Sequence, residues 1–281
     1  MSKFPDEKLP SFIVVGPMRT ATTWLHTVLE NRVDLPKGVN EPMFFDRFYE
    51  KGLDWYLSHF EKHAGSRVRG EVAPTYFHSA AARSRIREHI SNCRIVCTLR
   101  DPVERLYSYY ALMLERGETT GSFEAALRQE PQMLESSRYS FHVRAWQNTF
   151  GRETVLVLLN DDLRADAQAY VENLCDFVGL ERFNLTPSER RPVGKALPAR
   201  WPLLARAATR VANACRARGA YWPVEVARRL GARRLFYWPA RALPPLPMEK
   251  VLELRRYFLA EIEALEELLE RDLSAWKAAG P

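Results

Sequence analysis

At 281 residues with 46% hydrophobic side chains, the chain holds enough apolar material for one large α/β domain or two small ones, which excludes disorder as its default state. Lys and Arg outnumber Asp and Glu by 41 to 35, a formal charge of +6 that favours anionic ligands. The four cysteines, Cys93, Cys97, Cys175 and Cys215, show no metal-ligand clustering. Cys93 and Cys97 fall in one predicted strand, roughly 13 Å apart at about 3.3 Å per residue and too far to bridge. Reduced thiols in a cytoplasmic protein are expected. No apolar run approaches the roughly 20 residues of a membrane span, and "MSKFPDEKLPS" lacks the apolar region of a signal peptide, so neither export nor a transmembrane segment is expected.

The first predicted strand is "SFIVVG", Ser11 to Gly16, and it runs into "PMRTATTW". A Walker loop, G-x-x-x-x-G-K-[ST], cradles phosphates with backbone amides, a lysine and a magnesium-bound hydroxyl. Here Gly16 opens the frame, but Ala21 and Thr22 occupy the second glycine and lysine positions, with Thr23 at the hydroxyl position. Nucleoside triphosphate hydrolysis is therefore disfavoured. What remains is an anion cradle: the hydroxyls of Thr20, Thr22 and Thr23, the cation of Arg19, and the positive end of the helix predicted over "TTWLHTVLENR". Such a cradle suits a phosphate group that needs no metal.

The second predicted strand, "RIVCTLR" (Arg94 to Arg100), leads into the helix "ERLYSYYALMLERG". Arg100 stands at the carboxyl end of the strand, where open α/β sheets bind ligands, and Ser108 lies in the helix that follows. Arg offers a planar fork to a phosphate and Ser a neutral donor. Two anion sites imply a ligand phosphorylated at two places. Asp101 and Pro102 read as helix-start residues and Arg105 as a solvated cation. The third strand is "TVLVLLN" (Thr154 to Asn160), and the helix "DAQAYVENLCDFVGL" after it stops at Gly179. Short apolar runs alternating with helices predict an α/β fold with an open, mainly parallel, P-loop-like sheet flanked by helices and a helical C-terminal portion. From Lys195 to Pro247 the composition turns to Arg, Ala, Trp and Pro, read as short helices over the core, with a membrane-surface element as the alternative. A closing helix is predicted over 248–276.

"GPMRTATTWL" resembles the 5′-phosphosulfate loop, and "LRDPVERLYSYY" the 3′-phosphate motif, of the sulfotransferases that use 3′-phosphoadenosine 5′-phosphosulfate (PAPS). "NEPMFFDRFYEKGLDWYLSHF" (Asn40 to Phe60) and "GEVAPTYF" (Gly70 to Phe77) resemble the heparan sulfate branch of that family and its bacterial relatives. The likeness runs from Ser11 to Leu180, returns in "LLERDLSAW" and is weak over 195–247. It implies one sulfotransferase domain over 1–281, with a PAPS-binding core over 11–190 and a variable acceptor-side cover over 195–247. Gly16, Pro17, Met18, Arg19, Thr20, Ala21, Thr22, Thr23 and Trp24 then bind the donor from one side, and Arg100 and Ser108 from the other. Tyr139, in "SSRYSFHVRAWQNTF", falls where the family closes over the adenine, and Gly194, Lys195 and Arg200, in "RRPVGKALPAR", where related enzymes cover the cofactor.

Glu41 falls where the heparan-type enzymes carry their carboxylate base, and its apolar flank "PMFFD" would raise a carboxylate toward a useful pKa. His26, His59, His63 and His78 are rivals, His78 foremost because it follows "APTYF". Arg19 stands where the family usually has a lysine, and Val72 where some heparan-type enzymes have another. Glu71 reads as an acceptor contact or a structural ion-pair partner. The expected reaction is in-line sulfuryl transfer, without metal, from PAPS to a hydroxyl or amine of a glycan, lipid or secondary metabolite, leaving 3′-phosphoadenosine 5′-phosphate (PAP). A bacterial cytoplasmic enzyme with no nucleic-acid partner is expected, peripheral membrane contact remaining open. The alternatives are a nucleotide or nucleoside kinase, which would need the Walker lysine, and a non-catalytic module binding membrane or polyanion.

Overall fold

The structure is a computed structural model and describes residues 9–60, 68–190, 201–217 and 243–278. Gly194, Lys195, Arg200 and His63 lie outside the described residues, as does most of 195–247. In chain order the elements are β1 (Phe12–Val14), α1 (Thr22–Leu29), α2 (Phe44–Arg47), α3 (Leu53–Leu57), β2 (Gly70–Val72), α4 (Ala80–His89), β3 (Arg94–Leu99), α5 (Pro102–Glu115), α6 (Phe123–Gln129) and α7 (Gln132–Glu135). They continue with α8 (Tyr139–Phe150), β4 (Val155–Leu159), α9 (Asn160–Ala165), α10 (Ala167–Val178), α11 (Pro202–Ala217), α12 (Met248–Leu269) and α13 (Ser274–Lys277). The chain divides into two compact units: Met1–Asp101 with Ser136–Val193 and Glu261–Leu273, and Pro102–Glu135 with Gly194–Ala260 and Ser274–Pro281.

The first unit is built on a sheet of order β2-β1-β3-β4 in which every pairing is parallel. The branched runs expected to form strands do so, and β3 is buried over all but its first residue because it has a neighbour on each side. The fourth strand, β2, was not foreseen: it is three residues long, and Glu71 interrupts its apolar pattern. Helices α1 and α10 present Leu25, Val28 and Leu29, and Val171, Leu174, Cys175 and Val178, to a core that includes Phe12, Val14, Val96 and Leu158. The spacing is that of one helix face, and each such side chain contributes about 1.5 to 3 kcal/mol on burial. Asp166 caps α10 by accepting from the amides of Gln168 and Ala169, and Gly179, at φ +77°, ends it as expected.

In the second unit, Arg105 of α5 is fully buried and its guanidinium donates to the Met133 carbonyl at 2.5 Å. The reading of Arg105 as a solvated cation is thus corrected: its fork satisfies backbone in the α7 region. The closing helix also differs from expectation. It ends at Leu269 because Glu270 adopts φ +52°, and Leu273 N–H turns back to the Glu266 carboxylate at 2.7 Å before α13 begins.

Where β1 ends, Gly16 is pressed against β3. A Cβ on Gly16 would lie 1.8 Å from Thr98 Oγ1 and 2.5 Å from the Thr98 carbonyl oxygen, so no other residue fits without moving the strand. Gly16→Ala is expected to lower unfolding free energy by about 3 kcal/mol, the upper range for overpacking, as read by urea titration. A loss within the scatter of a surface substitution would contradict the close approach.

Candidate active site

All four strands are parallel, so their carboxyl ends lie on one edge of the sheet, and the segments that carry the expected chemistry leave from it: the loop from Gly16, the turn from Ala73 to His78, and Arg100. In the loop, Arg19 (φ +78°) and Ala21 (φ +70°) both adopt the left-handed conformation, at a cost of roughly 1 to 2 kcal/mol each. Alternation of this kind turns successive amide N–H groups toward one concave side and forms a nest for an anion. The nest opens onto α1, whose N-cap residue is Ala21 and whose first turn receives no side-chain cap. Its first turn carries no acidic residue, so the helix's own sequence leaves its positive end uncompensated.

The hydroxyls divide by role. Thr20 is fully buried and its Oγ1 donates to the Pro17 carbonyl at 2.7 Å. Its only proton is thereby used, so at 2.7 Å it accepts from Thr98 Oγ1. Thr20 therefore braces the loop against β3, and the expectation that its hydroxyl serves an anion is corrected. Thr23 is exposed, Thr22 is buried, and Met18 and Arg19 are half-buried. Trp24 is a packing residue: its ring meets Tyr170 edge-on at 5.9 Å and its Nε1–H donates to the Glu189 carbonyl at 2.7 Å. Glu189 in turn takes both nitrogens of Arg32, at 2.6 and 3.2 Å, and that pairing holds its carboxyl down at about 2. The described chain just before 191 is thus tied to α1.

Arg100 is half-buried at the end of β3, and its carbonyl accepts from the Tyr139 hydroxyl at 2.8 Å. Tyr139 is 1% exposed, with Phe77 edge-on at 6.2 Å, so its ring offers no open face to an adenine. It holds the backbone of Arg100 instead, a correction to the stacking role. Ser108 lies in α5, in the second unit, and is half-buried. His78 is half-buried, its ring 6.4 Å from that of His142, while His26 and His59 are buried and His59 engages the Trp55 carbonyl at 2.9 Å.

Glu41 is half-buried, and its charge is felt by a carboxylate that the sequence placed less clearly. Glu71 lies in the middle of β2, fully buried, with the Tyr56 hydroxyl donating to Oε2 at 2.6 Å and the Tyr76 hydroxyl to Oε1 at 3.0 Å. No cation among the described residues pairs with it, so the ion-pair expectation is replaced by a pair of phenols. Burial pushes its pKa up to about 7 against the lowering effect of both phenols, and the charges of Asp46 and Glu41 push the same way. Asp46 is also raised, chiefly by burial. Tyr56, Tyr76 and Asp46 were missed, although "DWYL" and "APTYF" contain the first two.

Residues 9–189 match the family described as "Sulfotransferase domain", well over half of the sequence, and the chain belongs to that family. It is 26% identical over 200 residues to human "Bifunctional heparan sulfate N-deacetylase/N-sulfotransferase 2", covering 63% of this chain and 23% of that protein. To mouse "Heparan sulfate glucosamine 3-O-sulfotransferase 3B1" it is 28% identical over 186 residues, covering 63% and 48%. The chain therefore spans about a quarter to a half of these curated relatives. Among solved structures, the sulfotransferase from Alicyclobacillus acidocaldarius superposes with a TM-score of 0.70 over 96% of this chain and 99% of that one, at 20% identity, a likeness of fold. Among the described residues, no helix is long and apolar enough to cross a membrane.

The Glu71 carboxyl makes stability depend on pH. Its native pKa of about 7 lies above the ordinary value of 4.5, so the native state binds the proton more tightly than the unfolded chain. The stabilising contribution is complete below the lower value and is lost as pH rises through the upper one. Glu71→Gln keeps the shape without the charge, so its unfolding free energy relative to wild type should rise between about pH 4.5 and pH 7, by about 3 kcal/mol in all, and level off above. A difference independent of pH, measured by urea titration, would contradict the buried carboxyl.

Proposed function

We propose that the chain is a PAPS-dependent sulfotransferase acting on a hydroxyl or amine. The observation that carries this reading is the loop itself: left-handed backbone at Arg19 and Ala21 leading into an uncapped helix, anchored by a glycine whose Cβ would collide with Thr98 of β3. Such a cradle fits the sulfated 5′-phosphate of PAPS, with donors from the backbone of 16–24 and the hydroxyls of Thr22 and Thr23. The motif resemblance assigns the 3′-phosphate to Arg100 and Ser108, and the cofactor cover to Gly194, Lys195 and Arg200. PAPS supplies the activated sulfuryl group.

In the proposed step the acceptor oxygen or nitrogen forms a bond to sulfur as the bond from sulfur to the phosphate oxygen breaks. Glu41 takes the acceptor's proton, and Arg19 faces the charge that grows on the departing oxygen. An arginine keeps its proton at every working pH, so the exchange for the family's usual lysine preserves the positive charge. Both relatives carry heparan sulfate in their names, which makes a glucosamine-containing glycan the first acceptor to try. Free Cys93, Cys97 and Cys175, all buried, support a cytoplasmic placement.

The test is transfer of sulfur-35 from labelled PAPS to de-N-sulfated heparin and to an extract of the producing cells. Labelled product is expected; absence of transfer to any acceptor, together with absence of PAP binding, would overturn the reading. Among variants, Arg19→Ala should reduce turnover far more than PAP affinity, because the interaction is strongest in the transition state, and Arg19→Lys should keep much of the activity. Glu41→Gln should lose roughly 100-fold in turnover with PAP binding intact, whereas His78→Asn should stay active. Arg100→Ala should cost about 1.5 to 3 kcal/mol of PAP affinity by calorimetry, against about 1 for Ser108→Ala.

A further inference from the structure

Glu71 is not accounted for by the donor site or by the proposed base, yet it is fully buried with both of its oxygens held. Each oxygen accepts from a different phenol, and each phenol reaches a different part of the segment that carries Glu41. The Tyr76 hydroxyl, while donating to Glu71, accepts from the Phe45 amide at 3.2 Å. Phe45 lies in the first turn of α2, where the side-chain caps that usually satisfy such amides are missing and Met43 takes φ +53° as the N-cap residue. The Tyr56 ring, fixed through its hydroxyl, stacks on Phe44 with centroids 4.8 Å apart at 16° and meets Phe45 edge-on at 5.2 Å. One carboxyl in the sheet thus grips both aromatic residues that follow the Glu41 turn.

We infer that Glu71 is a positioning residue for Glu41: through Tyr56 and Tyr76 it fixes the start of α2, and so sets the direction from which Glu41 meets the acceptor. The inference rests on the reading of Glu41 as base. A carboxylate is suited to the task because it accepts from both phenols at once. An amide in its place presents one acceptor and one donor, so one phenol must reverse its bond or lose it. Tyr76 is the vulnerable one, since its oxygen also serves the Phe45 amide.

The charge of Glu71 matters as well as its shape. The groups that face it are Tyr56 of α3, Tyr76 of the following turn, Asp46 of α2, Glu41, and Cys93 at the foot of β3. With a carboxyl that titrates near 7, the two-phenol grip is complete only above neutrality. Turnover is therefore expected to rise through about pH 7 in a way that depends on this residue.

The experiment compares wild type, Glu71→Gln, Tyr76→Phe and Glu41→Gln, using PAP for binding, labelled PAPS with de-N-sulfated heparin for turnover, and hydrogen exchange for the Phe45 amide. For Glu71→Gln the account expects PAP affinity within twofold of wild type, exchange at Phe45 at least tenfold faster, turnover at least tenfold lower, and no rise through neutral pH. This loss of turnover would accompany a gain in stability above neutrality, a combination that a packing defect does not produce. Tyr76→Phe should show the same pattern at smaller size, and it carries the test should the glutamine variant fail to fold. Unchanged exchange at Phe45 in both variants would overturn the inference, as would faster exchange with unchanged turnover. If Glu41→Gln turns over like wild type, the base reading falls and the catalytic half of the inference with it, while the exchange data still decide whether Glu71 holds the loop.

Discussion

Gly16 lies so close to Thr98 that no side chain fits between β1 and β3 where the chain leaves the sheet, and the geometry of the loop follows from that contact. The approach lets Thr98 reach Thr20, and Thr20 reach the Pro17 carbonyl, so a chain of two hydroxyls locks the turn from inside. Only with the turn locked can Arg19 and Ala21 be kept in a backbone conformation that each would otherwise leave. The strain is local, and on the proposed reading its return is a loop shaped before any ligand arrives, the condition for binding an anion without reorganisation.

On the neighbouring strand the electrostatics run the other way. The donor loop presents positive ends of dipoles, whereas Glu71, Asp46 and Glu41 crowd negative charge where burial already disfavours it. The sheet thus sets the loop that follows β1 beside a strand, β2, whose buried Glu71 feels the charges of Asp46 and Glu41 from the segment around α2. In the proposed reaction the loop after β1 stabilises the leaving phosphate, and Glu41, which lies outside the sheet, takes the proton. The cost of the acidic cluster appears as stability lost with rising pH, a trade of stability against activity common at catalytic sites.

The sequence announced the parts that depend on local pattern. Branched runs gave away β1, β3 and β4, and a glycine followed by threonines gave away the loop, because strand propensity and loop chemistry are written in neighbouring residues. β2 stayed hidden because a buried acid replaced the apolar residue its pattern required. Thr20 looked like a ligand donor because residue type does not show that the turn spends its proton on the Pro17 carbonyl, and Tyr139 looked like a stacking platform because burial is a tertiary fact. The break after Leu269 has no glycine or proline to mark it; the turn is made by Glu270 and closed by a carboxylate four residues earlier.

The central claim is that this cradle has exchanged triphosphate chemistry for a ligand phosphorylated at the 3′ and 5′ positions. Thermal unfolding with PAP or with ATP and magnesium tests it most directly, since a ligand that binds only the native state at about a hundred times its Kd adds about 2.7 kcal/mol. For a chain of this size that corresponds to a rise in Tm of about 5 °C or more. The account predicts such a rise with PAP and none with ATP and magnesium at the same concentration. Equal stabilisation by both ligands, or stabilisation by ATP alone, would contradict it.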